Sequence, residues 1–153
     1  MTNAHNGEIA FSPLAGKAVV RFTVGNMIAL EERFRRDYDR DIAGKEQDLN
    51  KPTFVGWLIG RVGGGSPSTL AECLARGLKE PGGKKPYDFD PLDPPFPFSH
   101  IDTVMPVLNA LNLAANGETY QDAIKRLVDA EMARKEAEAE AAADPVPPTS
   151  PET

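Results

Sequence analysis

Few side chains in this sequence could act as a nucleophile, a metal ligand or a proton carrier, and they are scattered. Cys73 is the only cysteine, in the stretch "STLAECLARGL", where Leu70, Cys73, Leu74 and Leu78 fall on one helical face. That setting reads as a buried structural thiol rather than a nucleophile. One cysteine also rules out an internal disulfide, as suits a reducing compartment. His5 and His100 lie far apart; neither has a ligand spacing such as HxxxH, and CxxC is absent. Asp88, Asp90 and Asp93 in "YDFDPLD" superficially follow the spacing of a calcium loop. The glycine at the sixth position and the closing glutamate of such a loop are missing. Gly63–Gly65 precedes a predicted helix, but no GK[ST] follows and no strand is evident before it. It reads as a turn rather than a phosphate cradle. No GxSxG elbow or Ser/His/Asp grouping is present. The sequence thus proposes no catalytic, cofactor-binding or metal-binding residue.

The bulk properties read as those of a soluble globular domain. The 153 residues, 41% hydrophobic and 26% charged, suit one domain with tails and a real core. No apolar run approaches the ~20 residues that cross a bilayer. The polar start "MTNAHNGEIAF" lacks a signal-peptide layout, so the expected location is the cytoplasm. The net charge of −6 is uneven. Residues 1–80 carry 11 basic and 10 acidic side chains, whereas residues 81–153 carry 6 and 13. An acidic second half argues against wrapping nucleic acid, which needs clustered Lys and Arg. The arginines of "ERFRRDYDR" alternate with acids, as on a solvated helix face.

The elements follow from periodicity and punctuation. "EIAF" (8–11) and "AVVRF" (18–22) predict a hairpin around "SPLAGK", and two strands alone must lean on helices. Thr23 is the expected cap of a first helix whose apolar face is Val24, Met27, Ile28 and Phe34, flanked by Leu30. Glu31 and Glu32 stand four residues before Arg35 and Arg36, the favourable order for helix ion pairs. Asn50 and Pro52 predict the start of a second helix, with a stripe of Phe54, Val55, Leu58 and Val62 beside Trp57 and Ile59. A third helix begins at Ser66–Pro67, or at a Thr69/Glu72 capping box, and ends near Gly77–Glu80. Ser99 with Asp102 opens a fourth, with Ile101, Val104, Met105, Leu108 and Leu111 at helical spacing and a break at Gly117. Pro106 should kink it or mark its first turns. Thr119 with Asp122 opens the last, whose apolar face is Tyr120, Ala123, Ile124, Leu127 and Val128.

The resulting fold class is α+β, mainly α: an N-terminal hairpin packed on a small helical bundle. Residues 1–80 form the hairpin and first helices, 81–98 a Pro/aromatic-rich connector and 99–130 the C-terminal helices. Residues 131–153 read as helix-prone and then a disordered acidic tail. The connector holds six prolines in residues 81–97, which exclude a helix or central strand. It also interleaves Tyr87, Phe89, Phe96 and Phe98. These rings are expected to pack on their own domain, or else to dock a partner. Together with Trp57 they are the candidate partner-binding residues.

Three stretches, in order, carry a family resemblance. They are "NAHNGEIAF", "TVGNMIALEE" in a Thr-x-Gly-x-Met-x-x-Leu-Glu-Glu pattern, and "TLAECLARGLK". Over about residues 3–80 the chain resembles the small tail assembly chaperones of gene transfer agents and related tailed phages. "RRDYDRDIAGKEQDLNKP" and residues 81–98 are longer than that pattern. The resemblance implies a non-catalytic protein of the host cytoplasm, without cofactor, that binds the helical tape-measure protein. It would keep that partner soluble during tail assembly and be absent from the mature particle. The rival expectations are a structural tail component, such as a tube or adaptor subunit, and an unrelated enzyme or regulator. Self-association is left open.

Overall fold

A computed structural model describes residues 7–45 and 47–143. His5 and the Pro-rich stretch 144–153 lie outside the described residues, and so does the expectation of a disordered tail. The fold class is as expected: a mainly helical α+β protein with a small antiparallel sheet near its start. The chain divides into two compact units, Met1–Tyr120 and Gln121–Thr153.

The first unit opens with the hairpin. Strand β1 (Ile9–Ala10) pairs antiparallel with β2 (Val19–Val20) in the register Ile9–Val20 and Ala10–Val19. A 3-10 turn, Ser12–Leu14, occupies the loop. The hairpin is not alone, however. Leu78–Lys79, expected as the end of a helix, forms β3 against β2, so the sheet order is β1-β2-β3. Lys79 bridges on to Pro86, and the Leu78 carbonyl accepts from the Tyr87 N–H at 2.9 Å. The third helix ends at Gly77 because this backbone is drawn into the sheet: the Gly77 carbonyl accepts from the Arg21 N–H at 2.8 Å. A β-carbon on Gly77 would stand 2.5 Å from Cζ of Phe22.

Helix α1 (Val24–Asp41) starts at Thr23 with a reciprocal cap. Thr23 Oγ1 accepts from the Asn26 N–H at 3.1 Å, and Asn26 Oδ1 accepts from the Thr23 N–H at 3.0 Å. Such caps satisfy amides that the helix leaves unpaired. Arg35 pairs with Glu31 at 3.4 Å and with Asp39 at 3.3 Å. The buried face differs from the expected one. Leu30 and Phe34 are buried, with Met27 and Tyr38 packed beside them. Val24 and Ile28 are instead exposed, at 77% and 53%.

Helix α2 (Phe54–Gly63) is capped by Thr53 rather than Asn50, so Pro52 lies before the helix instead of in its first turn. Its buried residues are Trp57, Leu58 and Val62. The glycines at its end turn the chain into α3 (Pro67–Gly77), capped by Ser66 with Pro67 in the first turn, as expected. After the connector, α4 (Ile101–Asn116) is capped by His100 instead of Ser99, with the Asp102 N–H donating to Nδ1 at 3.1 Å. Helix α4 packs against α2, α3, β1, β2 and the 3-10 turn. Pro106 lies in its second turn, and the carbonyl deprived of a partner belongs to exposed Asp102. Gly117, in the left-handed region at φ 80°, closes the helix as predicted.

The second unit consists, among its described residues, of α5 (Tyr120–Ala143) beyond its first residue. Arg134 pairs with Glu131 and Glu138 on its surface. The helix-prone stretch after residue 131 is helical through Ala143.

The contact between Gly77 and the Phe22 ring gives a direct test. Gly77→Ala forces a methyl into a buried ring, and overpacking of this kind costs about 1–3 kcal/mol. Urea denaturation should show an unfolding free energy lowered by that amount, seen as a lower midpoint with the slope unchanged.

Candidate functional site

The sequence-derived candidates are placed as follows. Trp57 is only 8% exposed and belongs to the core. Its indole Nε1–H donates to Asp41 Oδ2 at 2.8 Å, and its ring meets those of Phe34, Tyr38 and Phe54. Arg61 lies over the ring, 5.0 Å from its centroid, and reaches Asp41 at 3.7 Å. The Trp57 bond holds the Asp41 carboxyl below the usual aspartate range; Arg40 and Arg61 add to this, while desolvation opposes it. Trp57 thus ties the end of α1 to α2.

The connector rings pack on their own domain, the first of the two expectations. Phe96 is buried, edge-on to Phe11 at 5.0 Å, and Phe89 and Tyr87 continue the row at 5.9 and 6.3 Å. Phe98 packs against the same core but also lines two shallow clefts. One, of about 200 Å³, adds Val62, Leu70, Ile101 and Val104. The other, of about 350 Å³, adds Pro67, Ala71 and Leu92, and Leu92 is 90% exposed. Of the five candidates, Phe98 borders these two clefts.

The chemical candidates are equally committed. Cys73 is fully buried, and burial pushes its thiol up to about 12, which keeps it protonated and unreactive at neutral pH. Lys79 is buried in β3; its Nζ donates to the Arg76 carbonyl at 2.7 Å. Burial, and then the charge of Arg21, hold Lys79 below the usual lysine range. Asp88, Asp90 and Asp93 form no ligand set: among the described residues no three His, Cys, Asp or Glu side chains group as a metal site would require. No described helix is long and apolar enough to cross a membrane.

The feature that sequence reasoning missed is an open groove of about 340 Å³ in the first unit. Its walls are Val24, Met27, Ile28 and Glu31 of α1 and Phe54 and Val55 at the start of α2. Phe22 and the alanines Ala114 and Ala115, at the end of α4, complete it. Leu30, Phe34 and Tyr38, which repeat every four residues, form the inward face of α1. Val24 and Ile28 lie beside that face, so they are surplus to the core. Comparison of the chain with protein-family models, curated proteins and solved structures finds no match in any of the three.

Two measurements check these assignments. Trp57→Phe removes the bond that lowers Asp41, so part of its stability loss should depend on pH. A depressed carboxyl pKa stabilises the fold above the unfolded value, about 3.9 for aspartate. That stabilisation is lost as the pH falls through the lower folded value. The stability gap between wild type and Trp57→Phe should therefore be widest at neutral pH and narrow below that value. Separately, a thiol reagent at neutral pH should leave Cys73 unmodified in the folded protein and label it fully in denaturant.

Proposed function

We propose that this protein is a non-catalytic tail assembly chaperone that binds the tape-measure protein and keeps it soluble in the host cytoplasm. It leaves as the tail tube assembles and is absent from the mature particle. The observation that carries this reading is the open apolar groove, with Val24 and Ile28 exposed on a well-capped helix. Large apolar side chains gathered around a concavity, with no chemical group committed to it beyond one carboxylate, suit capture of another chain's apolar face. A long helical partner exposes such faces before assembly and would otherwise aggregate. Most of the groove comes from α1, α2 and Phe22, inside the stretch that carries the family resemblance. The acidic second half of the sequence favours solubility of the complex.

Co-expression with the tape-measure protein tests the reading. The expected result is a soluble complex that is recovered by pull-down, together with purified particles that lack this chain. A tape-measure protein that stays insoluble in its presence, with this chain found stoichiometrically in particles, would transfer the assignment to a structural tail component.

A further inference from the structure

We infer that the groove beside α1 receives about two turns of an amphipathic α-helix whose apolar stripe is flanked by lysine or arginine; this rests on the helix-binding reading above. The length follows from the wall. From Val24 to Glu31 the α1 side of the groove runs about 10 Å at 1.5 Å per residue. That accommodates apolar side chains at positions i, i+3 or i+4, and i+7 of a partner helix. The shape agrees: Ala114 and Ala115 project little, so a helix can approach them closely, while Val24, Ile28 and Phe54 supply the apolar walls.

The sign of the flanking charge follows from the lining. Among the described residues, Glu31 is the charged side chain that lines the groove, and Glu32 beside it is exposed. Arg35, one turn further along α1, is shared between Glu31 and Asp39, so it only partly offsets Glu31. The carbonyl end of α4 adds partial negative charge next to Ala114 and Ala115. The amino ends of α1 and α2 also open here with partial positive charge; Thr23 Oγ1 accepts from the Asn26 N–H and Thr53 Oγ1 from the Gly56 N–H, and the Glu31 carboxylate carries the full charge in the lining. An exposed ion pair adds little affinity, so apolar contact sets the strength of binding, and Glu31 sets the orientation and the choice of partner.

The test uses the full chain and two synthetic amphipathic peptides of about 18 residues, long enough to hold a helix. They share one apolar stripe and differ only in carrying lysine or glutamate beside it. Wild type should prefer the lysine-flanked peptide by about three- to fivefold in titration calorimetry. Ile28→Asp changes an exposed residue, so it should keep the wild-type circular dichroism while weakening that peptide about tenfold or more. Glu31→Lys should invert the preference between the peptides.

Wild type that binds neither peptide, or binding indifferent to Ile28→Asp and Glu31→Lys, overturns the groove assignment. So does a wild-type dimer in sedimentation that Ile28→Asp dissociates, because the occupant is then a second copy. If co-expression solubilises the partner while these variants change nothing, the groove assignment fails and the chaperone reading stands. If the peptides behave as expected while co-expression fails, the groove stands and the chaperone reading falls.

Discussion

Helix α4 is buried on several sides between Thr103 and Asn112, and a helix of that kind must be enclosed by other elements. Here the sheet and 3-10 turn close around it along with α2 and α3. The enclosure also has to satisfy polar groups, since an unpaired buried donor costs about 1–3 kcal/mol. Thr103 donates to the Pro97 carbonyl at 2.5 Å, and Asn112 donates to the Glu118 carbonyl at 2.9 Å. Both ends of the helix are thus tied to the loops that lead into and out of it.

That demand explains the connector. Its prolines keep it free of helix, as a run of turns and short extended pieces, so its aromatic rings can be laid one after another over the core. Phe96 reaches Phe11 beside β1, and Phe89 and Tyr87 follow it. On either side of Pro86, the Lys85 carbonyl accepts from the Glu80 N–H and the Tyr87 N–H donates to the Leu78 carbonyl, which extends a sheet whose strands are only two residues each. Rings that look available in the sequence are therefore used to cover the core. Apolar surface is left over elsewhere: on α1, around Phe98, and along α5 at Ile124, Leu127, Val128 and Met132.

The helices were largely legible because their signals are local. Thr23, Ser66 and Gly117 act where they stand, through hydrogen bonds or backbone freedom within one turn. The fully buried setting of Cys73 was legible for the same reason: Leu70, Leu74 and Leu78 share its side of the chain. Strand β3 was not, because nothing in "GLKE" distinguishes a helix end from a short strand. Its pairing depends on β2, more than fifty residues earlier in the chain. The caps of α2 and α4 were missed by one to three residues, where several polar residues in a row could each serve.

By itself the sequence determined which segments are helical, where most of them start and stop, and that the cysteine is structural. These depend on interactions over a few residues, which composition and spacing encode. Only the tertiary structure decided which apolar residues are inside. On α1 the two candidate faces overlap, and periodicity could not choose between Val24 and Ile28 and the Leu30–Phe34–Tyr38 arc. The choice was made by α2, whose Trp57, bonded to Asp41, packs against Phe34 and Tyr38 and turns that arc inward. Val24 and Ile28 were left facing the groove, because burial depends on what packs opposite a residue as well as on the residue itself.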